Sequence, residues 1–456
     1  MFDEIILNNK QNIINTLCEL IKFNSVSTET NDLTMPFGKE CKNVLDYTLN
    51  LAESQGFRTK NLDGYCGYIE FGEGDEMVGI IGHLDVVPAN ENDGWTTPPF
   101  VPEIRDNKIY GRGAIDDKGP VTASLYAMKA VLDSGVKLNK RVRLILGLNE
   151  EKNWKCINHY KEIGEESPTI GFSPDAEFPT IYAEKGILSI RLSRPFSFEN
   201  MEILEIDCNN NAINVVPKYC SITLKFKSQE NKILFENNDK ISIENIDDNT
   251  VKITATGISA HAAHPNLGDN AITTLLKYLN KYLKNNYITK LSDLGIFEIT
   301  SPKFLSEKPI EDESGILTSN VGFLDYKNGN LEIGLNLRVP VNTHLSQIEE
   351  KYMNLKEIFS NLTVEFPGEQ PPIYIPKNSY LVKTLTEIFN EKTGLNEEPI
   401  AIGGGTYARA FSNVVAFGAN MPGHVDLCHQ VDEYIYIDTL IDSAKIYAEA
   451  IYRLGK

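Results

Sequence analysis

His83 and Asp85 could form a metal-binding pair at the end of a buried strand. They follow the apolar stretch from Met77 to Ile81, which is typical of a strand buried on both faces. Side chains two residues apart leave the same face of a strand, so one ring nitrogen of His83 could bind a metal while Asp85 accepts the proton of the other. The pattern is short, and a structural His-Asp pair explains it better unless other ligands converge on it.

Two pairs of neighbouring carboxylates are further candidates. Asp116 and Asp117 lie in a glycine-rich turn, where adjacent carboxylates repel each other unless a cation lies between them. An aspartate at this position could also simply cap the following helix. Glu150 and Glu151 follow an apolar strand that ends at Leu148. One of them could bind a metal and the other transfer protons, although paired glutamates are often only surface residues.

Asp175, at the end of a predicted strand, and His429, in a C-terminal loop, complete the candidate set. His429 taken alone could equally be a capped loop histidine. Mixed imidazole and carboxylate ligands suit Zn²⁺, and also Mn²⁺ or Co²⁺. A shared carboxylate could hold two ions about 3.5 to 4 Å apart. The candidate ligands, all expected at strand ends on one rim of a sheet, are His83, Asp116, Glu151, Asp175 and His429.

The elements that must position these residues alternate between strands and helices. Strand, helix and strand follow one another from Met77 to Leu148, which predicts a right-handed unit with parallel strands. Ligand sites in such sheets lie beyond the carboxyl ends of the strands. From residue 186 to residue 372 alternating strands predominate, with an asparagine-rich turn at 209–211, which predicts antiparallel sheet. Helix and strand then return up to the C-terminus.

The predicted fold class is an α/β domain, with a mixed, largely parallel sheet between helices, interrupted by an inserted α+β domain. The predicted segments are 1–185 and 373–456 for the first domain and 186–372 for the insert. A chain of 456 residues is too long for one ordinary core, which agrees with more than one domain.

Composition excludes some classes of partner. A net charge of -19, from 63 acidic and 44 basic residues, argues against nucleic acid and anionic membranes, because both require a positive surface. We find no apolar run near the roughly 18 residues of a membrane span. Asp3 and Glu4 stand where a secretory signal would be basic. Seven cysteines without a Cys-x-x-Cys pair predict reduced thiols in a cytoplasmic protein.

These motifs resemble, in order, those of the M20 family of dinuclear zinc peptidases. The segments from Ser173 to Pro179 and from Gly403 to Arg409 are similar to those of the PepV-like bacterial dipeptidase branch. The resemblance implies an α/β catalytic domain with an inserted α+β lid domain, two Zn²⁺ ions, a small peptide substrate and a monomer. The motifs that carry it are His83 to Pro88, Gly111 to Gly119, Asn149 to Glu151, Ser173 to Pro179 and His429 to Glu433.

The resemblance also implies a role for each candidate residue. His83 and Asp175 would hold one zinc ion, and Glu151 and His429 the other. Asp116 would bridge the two ions and begin a cis peptide with Asp117. Asp85 would orient His83, and Glu150 would be the general base.

Further implied roles lie in the insert and beyond it. His261 resembles a lid histidine that stabilises the oxyanion of the scissile carbonyl. Asn214 and Arg338 resemble lid residues that recognise the substrate, and an arginine suits a carboxylate because it donates two parallel hydrogen bonds. Each of the three could instead be a surface polar residue. The backbone N–H groups of Gly403, Gly404 and Gly405 could bind the substrate's C-terminal carboxylate, or the triglycine could be a plain turn.

The implied function is hydrolysis of the amide bond of unblocked dipeptides. An alternative enzyme is an N-acyl amino acid or succinyl-diaminopimelate deacylase. A second alternative is a non-catalytic, metal-dependent peptide-binding protein, although neither a metal ligand nor the base is missing from the sequence. The sequence leaves the dipeptide preference and the physiological metal open.

Overall fold

The computed structural model describes residues 1–209, 212–228, 230 and 232–456. Contacts divide them into two compact units. Unit 1 comprises Met1–Tyr182, Ile375–Ile400 and Thr406–Lys456, and unit 2 comprises Ala183–Tyr374 and Ala401–Gly405. Residues 210 and 211 of the predicted asparagine-rich turn lie outside the described residues. The assignment of 1–185 and 373–456 to a catalytic domain and of 186–372 to a lid stays a prediction.

The α-helices of the described residues are α1 (Phe2–Asn8), α2 (Lys10–Ile21), α3 (Lys39–Ser54), α4 (Lys118–Asp133), α5 (Lys155–Glu162), α6 (Ala271–Leu283), α7 (Asn286–Asp293), α8 (Leu345–Met353), α9 (Leu355–Ile358), α10 (Tyr380–Thr393) and α11 (Ile437–Gly455). Local hydrogen bonding and backbone conformation explain both ends of α10. The Ser379 hydroxyl accepts the Val382 N–H at the start of α10, and Gly394 takes the left-handed conformation after its last residue.

The β-strands are β1 (Arg58–Leu62), β2 (Cys66–Phe71), β3 (Met77–His83), β4 (Glu103–Arg105), β5 (Lys108–Tyr110), β6 (Arg141–Gly147), β7 (Ile170–Ser173), β8 (Ala176–Glu177), β9 (Ile181–Glu184), β10 (Gly186–Pro195), β11 (Met201–Asp207), β12 (Val215–Val216), β13 (Tyr219–Phe226), β14 (Ile241–Asn245), β15 (Thr250–Thr256), β16 (Ala260–His261), β17 (Glu311–Asp312), β18 (Gly315–Ile316), β19 (Thr318–Lys327), β20 (Asn330–Val339), β21 (Thr363–Gln370), β22 (Ile373–Tyr374), β23 (Ile400–Ile402), β24 (Val414–Ala416), β25 (Ala419–Asn420) and β26 (Tyr434–Tyr436).

A largely parallel sheet forms the middle of unit 1. From one edge its strands run β1-β2-β6-β3-β7-β24. The neighbours of β3, which are β6 and β7, are both parallel to it, and β24 is parallel to β7. The edge strand β1 is antiparallel to β2, and β2 is antiparallel to β6. Every residue of β3 is buried, and α4 and α11 both contact it. The predicted mixed, largely parallel sheet is therefore confirmed.

The carboxyl ends of the central strands meet at one rim. His83, the last residue of β3, lies opposite Gly147, the last residue of β6, and β7 ends nearby at Ser173. Gly82 lets the loop before α4 approach this rim, because an added Cβ would lie 2.6 Å from Asp117 Oδ2. Residues that immediately follow β3, β6 and β7 therefore face a common space.

Unit 2 is built from antiparallel sheets, as predicted for the insert. One sheet has the order β19-β20-β10-β21 and another the order β11-β13-β15-β14. Helix α6 contacts β13, β15 and β19. Its buried residues, among them Leu275 and Leu279, join the apolar core of this unit. An α+β insert is thus confirmed as part of the fold.

The prediction of reduced thiols is wrong for Cys208 and Cys220, which form a disulfide. Asp207 on β11 pairs with Ser221 on β13, so the next residue on each side places the two cysteines opposite each other, with Cα atoms 3.9 Å apart. Spacing in sequence could not reveal this cross-strand pairing. No helix among the described residues has the length and apolar character needed to cross a membrane.

Candidate metal centre

His83 presents one ring nitrogen to carboxylates and the other to the backbone. Its side chain is fully buried at the end of β3. Nδ1 lies 2.9 Å from the Asp85 carbonyl oxygen, which identifies Nδ1 as the protonated nitrogen. Nε2 lies 3.1 Å from Asp116 Oδ1 and 3.7 Å from Asp175 Oδ2. The second ring nitrogen of His83 therefore points at two carboxylates.

Asp116 lies between the two candidate histidines. While Oδ1 faces His83, Oδ2 lies 3.0 Å from His429 Nε2. His429 Nε2 is also 3.0 Å from Glu151 Oε2. His429 takes a left-handed backbone conformation, with φ 65°, and its side chain is 52% exposed. One carboxylate with an oxygen directed at each imidazole has the arrangement that a bridging ligand requires.

Two groups of candidate ligand atoms share His83. One group contains His83, Glu150 and Asp175, and the other contains His83, Asp116 and Glu151. Within each group the candidate ligand atoms lie within 4.8 Å of one another. The adjacent glutamates Glu150 and Glu151 therefore belong to different groups.

A divalent cation fits these residues. Nε2 of His83 is buried, has no hydrogen-bond partner among the described residues, and faces carboxylate oxygens that are themselves acceptors. Lone pairs directed at one another in a buried space repel, and a cation between them relieves the repulsion. Imidazole nitrogen with carboxylate oxygen is a donor set typical of zinc, manganese or cobalt.

The same crowding shifts the pKa values of these groups. Burial raises the pKa of Glu151 to about 7, and the neighbouring Asp116 carboxylate acts in the same direction. Burial also raises the pKa of Glu150 well above its usual value. Burial lowers the pKa of His83, but Asp175 and Asp116 outweigh it and the pKa lies well above its usual value. The carboxylates thus favour a positive charge at Nε2 of His83, which a proton or a metal ion can supply.

Asp85 contacts the backbone of the paired glutamates. Its carboxylate accepts the Glu150 N–H at 3.1 Å and the Glu151 N–H at 3.2 Å. His83 Nδ1 lies closer to the Asp85 carbonyl oxygen, at 2.9 Å, than to the Asp85 carboxylate, at 3.5 Å. The carboxylate thus anchors the turn that carries both glutamates. Its predicted role in orienting His83 stays a prediction.

Glu433 contacts the backbone of Asp116 and was not among the residues predicted for the site. Its side chain is fully buried and pairs with Arg112 at 2.7 Å. Burial raises the pKa of Glu433, whereas the Arg112 guanidinium favours its ionised form. Its acidic neighbour Asp432 accepts the Thr96 N–H at 2.8 Å. The only signal for Glu433 in the sequence was its place in the segment from His429 to Glu433. Its contact with Arg112 could not be predicted, because the two residues are far apart in the sequence.

The residues predicted for substrate recognition belong to unit 2. His261 lies on β16, which pairs with β12 through Val215 opposite His261. The Asn214 carbonyl accepts the Ala262 N–H at 2.9 Å. His261 Nδ1 accepts the Ala263 N–H at 3.3 Å, which leaves Nε2 as the protonated nitrogen. Asn214 and His261 are therefore neighbours on a short two-stranded ribbon.

Arg338 and the triglycine also meet within unit 2. Arg338 on β20 is buried, and its Nη1 donates to the Gly403 carbonyl at 2.7 Å. Its Nε donates to Asn336 Oδ1 at 3.0 Å. A Cβ on Gly403 would lie 3.3 Å from Ala263, two residues after His261. Gly404 and Gly405 continue from Gly403 toward a short 3₁₀ helix that Thr406 caps through Ala408 N–H.

The chain is similar to known proteins over nearly its whole length. The sequence profile of "Peptidase family M20/M25/M40" matches residues 79–453. A protein of Bacillus subtilis named "Putative dipeptidase YtjP" is 39% identical over 99% of each chain. A similarly named protein of Staphylococcus epidermidis is 36% identical over 100% of this chain and 99% of the relative.

Solved structures share the fold at low sequence identity. Human carnosine dipeptidase 1 has a TM-score of 0.63 and 16% identity, covering 100% of this chain and 98% of that one. The di-peptidase Dug1p of Saccharomyces cerevisiae has a TM-score of 0.62 and 12% identity, with the same coverage. These values support a common architecture along the whole chain.

Proposed function

The chain belongs to peptidase family M20/M25/M40, and from this premise we propose that it is a metal-dependent dipeptidase that hydrolyses unblocked dipeptides. The observation that carries the proposal is the position of Asp116, with one carboxylate oxygen 3.1 Å from His83 Nε2 and the other 3.0 Å from His429 Nε2. The names of the relatives support a dipeptide substrate. The PepV-like branch, a monomeric state and a cytoplasmic location remain our predictions.

We propose two Zn²⁺ ions as the cofactor, with Mn²⁺ or Co²⁺ as substitutes. His83 and Asp175 would hold one ion, Glu151 and His429 the other, and Asp116 both. When bound, such ions polarise the scissile carbonyl and lower the pKa of water. The mixed donor set and the unpartnered Nε2 of His83 support a metal at this cluster.

Glu150 is the proposed general base. Its backbone is anchored to Asp85, and its carboxylate lies in the group with His83 and Asp175. From there it would accept a proton from the attacking water and deliver it to the leaving amine. Glu151, turned toward His429, would remain a ligand throughout.

The unit 2 residues would bind the rest of the substrate. His261, with its proton on Nε2, would donate to the carbonyl oxygen as negative charge develops there. Asn214 would contact the peptide beside it. Arg338 and the N–H groups of Gly403, Gly404 and Gly405 would bind the C-terminal carboxylate, and the Arg338 bond to the Gly403 carbonyl supports their acting together.

The test is a substrate panel on metal-stripped and zinc-loaded protein. Unblocked dipeptides, N-acetyl amino acids and N-succinyl-diaminopimelate are assayed side by side, with Mn²⁺ and Co²⁺ as parallel loadings. We expect turnover of the unblocked dipeptides after loading and none after stripping. Turnover of the blocked compounds alone would favour the deacylase. Full metal loading without turnover of any substrate would favour a peptide-binding protein.

A further inference from the structure

Glu433 connects the segment that carries His429 with the loop that carries Asp116. Its carboxylate is fully buried and accepts hydrogen bonds from one side chain and from three backbone N–H groups of that loop. The donors are Arg112 Nη1 at 2.7 Å and Gly113 N at 3.1 Å to Oε2, and Ile115 N at 2.9 Å and Asp116 N at 3.2 Å to Oε1.

The two segments that Glu433 connects both carry proposed metal ligands, Asp116 in the loop and His429 in the C-terminal segment. Asp116, whose own N–H is held by Glu433, directs its side chain toward His83 and His429. The Gly111 N–H also donates to the Glu433 carbonyl at 2.9 Å, so the loop and the C-terminal segment are joined twice. The loop is glycine-rich, with positive φ at Gly111 and Gly113, and such a backbone needs external contacts to hold one conformation.

We propose that Glu433 is a positioning residue for metal binding: it holds the Asp116 backbone so that the two carboxylate oxygens lie between His83 and His429. The inference rests on the metal-dependent function proposed above. Loss of the contact would displace a shared ligand and weaken metal binding more than it weakens the fold.

The experiment compares wild type with Glu433→Gln as full chains. In glutamine an NH₂ group replaces one of the two carboxylate oxygens. This group cannot accept the two hydrogen bonds that the replaced oxygen receives. We expect the dissociation constants for Zn²⁺ and Mn²⁺, measured by competition with a chromogenic chelator, to rise by about 10- to 100-fold. Dipeptidase activity should return when metal is added in proportion to the loss of affinity.

Glu70→Gln is the matched control. Glu70 is also buried, and it accepts a hydrogen bond from Arg143 Nε at 2.7 Å within unit 1. It should lower the melting temperature of the metal-free protein and leave the metal dissociation constants unchanged. Arg112→Lys is a milder second variant that keeps the three backbone contacts, so we expect a smaller rise in the dissociation constants than for Glu433→Gln.

The outcomes separate this inference from the proposed function. Unchanged metal affinity in both Glu433→Gln and Arg112→Lys, even with a lowered melting temperature, would overturn the positioning role while the metal site stands. If Glu433→Gln does not fold, the affinity of Arg112→Lys decides in the same way. A wild-type chain that binds neither ion would overturn the proposed function and this inference with it.

Discussion

At the scale of single residues, Glu150 and Glu151 show how adjacent carboxylates can receive different tasks. The Asp85 carboxylate holds both backbone N–H groups, so the turn between them is fixed. From this turn Glu151 reaches His429, whereas Glu150 groups with His83 and Asp175. The geometry also brings Glu150 within reach of a metal, so its role as base has to be distinguished from that of a ligand.

Glu150→Gln is expected to lower kcat on dipeptides by about 10²- to 10⁴-fold, because an amide cannot take a proton from water. The zinc content per chain, measured by inductively coupled plasma mass spectrometry, should stay at the wild-type value. Glu70→Gln, which alters a buried carboxylate elsewhere, should keep the wild-type kcat. Loss of zinc in Glu150→Gln would identify Glu150 as a ligand, and retained turnover would identify another residue as the base.

Arg338→Lys tests recognition of the substrate carboxylate. Lysine keeps the charge but cannot donate two parallel hydrogen bonds, so we expect KM for unblocked dipeptides to rise about tenfold or more. The matched substrate is the same dipeptide as its C-terminal amide, for which KM should be nearly unaffected. An equal rise for both substrates would show that Arg338 acts through the Gly403 carbonyl it already binds and not through the carboxylate.

At the scale of elements, the sequence predicted the rim well because it depends on local rules. The apolar run of β3 and the strand that ends before Glu150 are readable from their composition, and parallel strands bring their carboxyl ends together. Glu433 and the Cys208–Cys220 disulfide were not predicted in these roles. Each depends on which distant strand or loop lies alongside, which hydrophobic periodicity does not encode.

A charged network between strands gives unit 1 a pH-dependent stability. Burial raises the pKa of Glu70 on β2, but Arg143 and Arg141 on β6 and Arg58 on β1 outweigh it and hold the pKa below its usual value of 4.5. A carboxylate with a lowered pKa in the folded state contributes stability above its unfolded pKa. That contribution is lost as the pH falls through the lower, folded value.

Glu70→Gln should therefore lower the free energy of unfolding at pH 7 by about 1–3 kcal/mol, because buried arginine donors lose a charged partner. The deficit should narrow as the pH falls below 4.5. Urea denaturation from pH 7 to pH 3.5 measures it, with Glu387→Gln on the exposed face of α10 as the control. A deficit that is constant with pH would show that packing, and not charge, accounts for the loss.

At the scale of the whole chain, the proposed ligands come from both ends of the sequence. The N-terminal segment contributes His83, Asp116, Glu151 and Asp175, and the C-terminal segment contributes His429. In the sequence, residues 183–374 of unit 2 separate these two segments. The sequence predicted the insertion from its change in strand pattern. It did not predict that Ala401–Gly405 belongs with unit 2, because the composition of five residues does not determine which unit they pack against.

Metal removal should consequently destabilise the protein as a whole. A ligand that binds only the folded chain at 100 times its dissociation constant stabilises it by about 2.7 kcal/mol, so stripping with a chelator should lower Tm and zinc should restore it. The Tm difference between zinc-loaded and stripped protein should shrink as the pH falls, because protons compete for the ligands. Differential scanning calorimetry of both forms measures this, and His83→Ala, compared in the same two states, should show little difference between them. A zinc-independent Tm in wild type, or an undiminished zinc effect in His83→Ala, would contradict the assignment of the metal to this cluster.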